Sequence, residues 1–267
     1  MTVDPGLAGR QDRPVDGVDN GYLAGYRVRF DEAGADGQIR TGSLLRYAQD
    51  IAWRHSEGLG FDRRWYTDQG RWWVVRSVVL DVLAPVPMGS LLRLATSVIG
   101  HRRIWARRRG EFRLPDGALA AVTLVDWVLL DVRGRILRIP EDFGVAFPNP
   151  ELDGEILRVT LPDEPDAAVT LNLRVRPQDL DPMGHVNNAV YLDWIEEAVL
   201  NAGGPDAAEA VAALPRRIAI EYAASAEPGD ALVATAWRED GAWHVRLVRA
   251  ADGAALVRAR LEIAPPA

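Results

Sequence analysis

A strand, a long helix and then four strands: this order occurs twice in the 267 residues of the chain. Alternating apolar residues predict a first strand over 22–30, and helical spacing predicts a helix over 43–57, with Leu44, Ala48, Ile51, Ala52 and His55 on one face. Strand-like runs follow near 72–83, 91–100, 104–114 and 119–132, punctuated by Pro85, Pro87, Gly89 and Pro115-Asp-Gly117. The second pass has a strand over 169–176, a helix after a polar turn, and strands near 216–222, 231–238, 243–249 and 255–263. Asp240-Gly241 and Asp252-Gly253 are hairpin signals between them. A shift of 147 residues lays Gly37 on Gly184, Arg27-Val-Arg29 on Arg174-Val-Arg176, and Leu45 on Leu192. The expected class is α+β: two antiparallel sheets, each wrapped around one long helix, paired within one polypeptide as an internal pseudo-dimer. A sheet this small leaves an open edge and an exposed face, and a second copy alongside would cover both. The Pro-, Gly- and acid-rich stretch 133–168 reads as a connector, which sets the units at 21–132 and 169–267.

The second unit carries the polar residues. Asp179-Leu-Asp-Pro-Met-Gly-His-Val-Asn-Asn188 packs acids, a histidine and two asparagines into the turn that opens its helix. Tyr191, Trp194, Ile195, Ala198, Val199 and Ala202 form one apolar stripe, and Gly203-Gly-Pro205 stops it. Asn187 or Asn188 suits the N-cap. The polar groups therefore sit at the positive end of a helix dipole, where backbone N–H groups can receive developing negative charge. Asp181 is placed to act there as general base or as nucleophile, although Asp is also an ordinary turn residue. Its counterpart in the first unit is Gly34, so only one of the two turns holds this acid.

Composition removes several alternatives. There are no cysteines, hence no disulfide framework and no thiol nucleophile. No run reaches the ~18 apolar residues of a membrane span. A net charge of −7 argues against general nucleic-acid binding. Four scattered histidines without cysteine give a metal site little support, and neither metal nor cofactor is expected. Residues 1–20 are polar and rich in Gly, Asp and Pro, and read as a disordered lead-in to a cytoplasmic protein.

Asp181-Pro-Met-Gly-His-Val-Asn-Asn-Ala-Val-Tyr191 resembles the acid, turn and helix motif of the hotdog-fold thioesterases. With two such units in one chain, the likeness narrows to the acyl-[acyl-carrier-protein] thioesterase family. Arg54-His-Ser-Glu-Gly-Leu-Gly-Phe61, Trp73-Val-Val-Arg76, Arg102-Arg-Ile-Trp-Ala-Arg-Arg108 and Ile220-Glu-Tyr222 are similar to segments of that family. The resemblance implies a double hotdog, in which the N-terminal unit holds an acyl chain and the C-terminal unit supplies catalysis. It implies hydrolysis of an acyl thioester, releasing free fatty acid in fatty acid biosynthesis, with acyl carrier protein as the carrier. In this setting Asp181 activates water or attacks the carbonyl, and backbone N–H groups near Asn188 hold the oxyanion. His185 orients Asp181 or donates to the thioester. Asn187 either meets substrate or simply caps the helix. Trp53 and Trp73 line an acyl slot or fill the core.

Two departures bear on the carrier. Where plant-type members of the family have an Asn two residues after the acid, this chain has Met183, and their Glu-Cys pair falls on Ser225 and Ala226. The Asp-Pro-Met-Gly-His run is instead similar to acyl-CoA hotdogs of the 4-hydroxybenzoyl-CoA type, which use one aspartate and a helix N-terminus. Coenzyme A is thus the alternative carrier, and a non-catalytic acyl-binding protein the alternative function. Arg103, Arg107 and Arg109 share a strand face, a possible basic patch for an acidic carrier or a solvated sheet face. A further association of two chains into a homodimer is also open.

Overall fold

The computed structural model describes residues 21–148, 152 and 154–263; the lead-in expected over 1–20 lies outside the described residues. The first unit contains β1 (Gly21–Arg27), α1 (Thr41–Gly58), α2 (Arg63–Gln69), β2 (Arg71–Val82), β3 (Leu91–Arg102), β4 (Trp105–Arg113) and β5 (Leu119–Asp131). The connector holds α3 (Glu141–Ala146). The second unit contains β6 (Val169–Arg174), α4 (Asn188–Ala202), α5 (Gly204–Ala212), β7 (Arg216–Tyr222), β8 (Ala231–Glu239), β9 (Ala242–Arg249) and β10 (Ala255–Ile263).

The expected pair of sheets is corrected in one respect. All ten strands form a single antiparallel sheet in the order β1-β3-β4-β5-β2-β7-β10-β9-β8-β6. Each unit supplies five consecutive strands, and β2 pairs with β7 from Ser77↔Glu221 to Val82↔Arg216. Two open edges satisfy each other's backbone groups at that seam, which is why two small sheets become one. α1 packs on β1 and β3, α4 packs on β6, β8 and β9, and the two helices meet each other. The larger apolar core runs through both units, with Leu44, Leu45 and Ile51 of α1 joined to Leu192, Ile195 and Val199 of α4.

The internal repeat extends to individual hydrogen bonds. Gly34 N–H donates to Gln38 O at 2.8 Å, and Asp181 N–H donates to His185 O at 2.8 Å. Gly37 N–H reaches Gly34 O, and Gly184 N–H reaches Asp181 O. Both glycines have positive φ, 73° and 81°, which a side chain would strain. The bridges Ala33↔Ile39 and Leu180↔Val186 close the two turns in the same way. Farther on, Leu83 and Ala84 both donate to Ala120 O, as Ala223 and Ala224 both donate to Leu256 O. On that pairing Arg76 is the counterpart of Arg216. Arg46 and Asp193, equivalent positions on α1 and α4, touch each other at 2.6 Å.

Around the first unit's helix mouth the space is filled. The Arg216 guanidinium donates to Thr41 Oγ1 at 2.7 Å and to Ala213 O at 3.1 Å. Thr41 also lies beside the Glu196 carboxyl, whose Oε1 is buried and meets no hydrogen-bond partner among the described residues. Burial pushes Glu196 up from 4.5 to about 7, against the opposing pull of Thr41 and Arg216. The folded state therefore holds this proton more tightly than the unfolded chain does. Its stabilising contribution is complete below pH 4.5 and is lost as pH rises through about 7. Glu196→Gln should be more stable than wild type at pH 8 by on the order of 1–3 kcal/mol, with the gap closing towards pH 5, as read by urea melts at the two pH values.

Candidate active site

The turn before α4 is built around Asp181. Its Oδ1 accepts the backbone N–H of Met183 at 2.8 Å and of His185 at 3.2 Å. Such side-chain-to-backbone bonds are how Asp shapes a turn. They leave Oδ2 without a donor among the described residues. The first unit's turn has its acid two places later: Asp36 Oδ1 accepts Gln38 N–H at 3.0 Å, and a Cβ on Gly34 would meet that oxygen at 2.9 Å. The two turns share a backbone, but only the second presents a carboxylate at position 181.

Asn187 is the N-cap of α4, its Oδ1 accepting Ala189 N–H at 2.9 Å. Asn188 is the first residue of the helix. Its carbonyl accepts the Tyr222 hydroxyl at 3.0 Å, which anchors the peptide from β7. The Asn188 N–H has no acceptor among the described residues, the usual condition of a first-turn amide. Tyr191 faces inward as the periodicity requires, and its hydroxyl accepts Ala226 N–H at 2.8 Å. The His185 ring makes no hydrogen bond among the described residues; its backbone N–H, not its imidazole, holds Asp181.

All six expected site residues, Asp181, His185, Asn187, Asn188, Trp53 and Trp73, line one cavity of about 1030 Å³. This is at the upper end of ligand-pocket sizes. Trp53 of α1 stacks on Tyr66 of α2, with ring centres 5.8 Å apart. Trp73 of β2 lies 4.8 Å from Phe143 of α3, within a second apolar cluster that includes Phe61, Val98, Ala106 and Phe147. Met183 and Ser225 also line the cavity, whereas Ala226 is buried.

Several residues that shape the cavity were not singled out from the sequence. Gln49, Arg76, Arg108 and Tyr222 all line it. Arg108 is buried, with its guanidinium 3.0 Å from His55 Nδ1 and 3.4 Å from Thr96 Oγ1. Burial, then the charge of Arg108, lowers His55 to about 3, so its ring is neutral. Burial lowers Arg108 itself to about 10.

The three arginines weighed as a basic patch or a solvated face divide: Arg103 lies in the turn between β3 and β4, and Arg107 and Arg109 of β4 are paired. Asp126 of β5 takes Arg107 in a two-pronged ion pair at 2.7 and 2.9 Å, and Glu111 takes Arg109 at 3.0 Å. Glu221 is not a second acid for the cavity. It is buried, 3.3 Å from Arg76, and accepts Val159 N–H of the connector at 3.0 Å. Glu197 is exposed. Among the described residues no three metal-binding side chains come together, and no helix is long and apolar enough to cross a membrane.

Comparison with known proteins finds likenesses over most of the chain. Residues 19–147 match the Acyl-ACP thioesterase N-terminal domain, and residues 163–263 match the Acyl-ACP thioesterase C-terminal domain. The chain is 22% identical over 200 residues to oleoyl-acyl carrier protein thioesterase 1, chloroplastic, of Arabidopsis thaliana, covering 67% of this chain and 54% of that protein. It is 28% identical over 223 residues to the palmitoyl-acyl carrier protein thioesterase, chloroplastic, of the same plant, covering 74% of this chain and 51% of that one. The chain thus spans about half the length of these relatives. Among solved structures, the 12:0-ACP thioesterase from Umbellularia californica superposes with a TM-score of 0.76 at 21% identity, covering 91% of this chain and 96% of the other. An acyl-ACP thioesterase from Bacteroides thetaiotaomicron gives 0.75 at 16% identity, covering 91% and 97%. These likenesses establish the hotdog fold.

Proposed function

Since the chain belongs to the acyl-ACP thioesterase family, we propose that it hydrolyses the thioester of an acyl-[acyl carrier protein] and releases the free fatty acid. The observation that carries this reading is the single cavity that joins the Asp181 carboxylate and the unbonded N–H at the mouth of α4 to apolar and aromatic walls from the first unit. The acyl chain lies against Trp53 and Trp73, and the thioester carbonyl faces Asn188. Asp181 acts through its free Oδ2 as general base, because Oδ1 is committed to the turn. The Asn188 N–H receives the oxyanion, and Asn187 serves as the cap that fixes that amide's direction. His185 lines the same space and donates a hydrogen bond to the thioester. The first unit holds the chain and the second supplies the chemistry. Hydrolysis of this kind calls for no metal and no cofactor.

Met183 and Ser225 at the cavity give a second reading its weight: coenzyme A as the carrier, with a simpler acid-and-amide site. A thiol-release assay on acyl-carrier-protein and acyl-CoA substrates of several lengths separates the two. Faster turnover of the carrier-protein series is expected. Tight acyl binding with no thiol released from either series would make the protein an acyl-binding module. A cytoplasmic location and a homodimer of the two-unit chain belong to the same proposal, supported by the acidic, cysteine-free composition and by the two strand edges, β1 and β6, left at the ends of the sheet. Sedimentation and cell fractionation test them.

A further inference from the structure

Gln49 lies on α1, in the first unit, yet it lines the cavity together with Asn188 of the second. The two residues also line a small pocket that adjoins it. The Gln49 Oε1 is shielded from solvent and meets no donor among the described residues. A buried amide oxygen left without a partner is costly, and native proteins keep few of them. The internal repeat shows what this position is near. The shift that relates Arg46 to Asp193 takes Gln49 to Glu196 and Asn188 to Thr41. In the filled copy of the site those two counterparts, Glu196 and Thr41, stand beside each other. In the open copy the corresponding pair is Gln49 and Asn188, and no hydrogen bond joins them among the described residues.

We infer that Gln49 is a further catalytic residue, whose carboxamide holds the attacking water for Asp181; this rests on the thioesterase reading above. A water molecule has two O–H bonds. Asp181 Oδ2 accepts one of them and the Gln49 oxygen accepts the other, so an oxygen lone pair faces the acyl carbonyl. The water oxygen bonds to the carbonyl carbon as its first proton passes to Asp181. The carbonyl π pair moves onto oxygen, facing the Asn188 N–H. The intermediate then collapses and the C–S bond breaks with its electron pair on sulfur. Sulfur takes the proton from Asp181, leaving a carboxylic acid and a thiol, and the carboxylate is regenerated. The site is composite: the base and the oxyanion donor come from one unit, and the water holder comes from the other.

The test uses Gln49→Leu and Gln49→Glu in the full chain, with thiol release from the better of the two carrier series. Gln49→Leu is expected to lower kcat by about 10–100-fold, the loss of one hydrogen bond in the transition state, with KM almost unchanged. The same variant should melt no lower than wild type, since it removes an unpartnered buried acceptor. Gln49→Glu keeps an acceptor, so it should retain more rate than Gln49→Leu and add an ionisation to the pH–rate profile that wild type lacks. Wild-type kcat in Gln49→Leu overturns the inference. So does an equal loss in both variants with raised KM and a lower melting point, the pattern of a packing residue. If wild type releases no thiol from either carrier series, the thioesterase reading itself fails; if Asp181→Asn is inactive and Gln49→Leu is not, only the role of Gln49 fails.

Discussion

Asp181→Asn should lower the rate of thioester hydrolysis by on the order of 10²–10⁴-fold, the usual worth of a positioned general base. The substitution is unusually clean here. Asn keeps an Oδ1, and that oxygen accepts the N–H groups of Met183 and His185 that shape the turn. The carboxylate oxygen that changes to an amide nitrogen is the one with no partner among the described residues. Fold, cap and helix mouth are thereby conserved while the proton acceptor is lost. Steady-state kinetics beside binding of a non-hydrolysable acyl analogue checks this. Binding should be unchanged, and turnover within a few-fold of wild type would mean that the base lies elsewhere.

Asp126→Ala should cost about 3–5 kcal/mol of stability, as expected when one partner of a buried ion pair is removed. Asp126 is 2% exposed, and three groups converge on it through four hydrogen bonds. Arg107 binds both of its oxygens, Ser77 Oγ donates at 2.9 Å, and Leu157 N–H of the connector donates at 3.1 Å. Removing the carboxylate leaves the guanidinium with Glu155 O alone as a hydrogen-bond acceptor among the described residues, and frees the connector at Leu157, beside the Glu221 anchor at Val159. Chemical denaturation should show the loss, and hydrogen exchange should show it locally as weaker protection around residues 155–159. Asp126→Asn, which keeps acceptors, should lose less. Equal stability of Asp126→Ala and wild type would show that the network adds nothing net.

Much of this was legible because it is local. The α4 stripe, its Gly203 stop and the Asp240-Gly241 hairpin each follow from side chains within a few residues. The repeat was visible because Gly37 and Gly184 both need the left-handed backbone that glycine adopts readily. The short helices were not legible. α2, α3 and α5 span only two turns or so, too few for a periodic signal. In α5, Gly204 and Pro205 that signal the end of one helix also begin the next. The fate of the arginines was hidden for another reason. Arg107 meets Asp126 only because strand register sets them opposite one another, and no local pattern reveals that. Gln49 was equally hidden, since its significance depends on a helix in the other unit.

Arg46 and Asp193 carry a consequence for how such a chain can be assembled. On a twofold axis a residue faces its own copy. In a homodimer of separate single units this position would set Arg against Arg or Asp against Asp, and like charges at contact repel. Only when the two copies differ in sequence can that position hold an attractive pair, as it does here at 2.6 Å. Cut at the connector and mixed, the halves should therefore choose each other over themselves, so the repeated plan of the chain favours unlike partners.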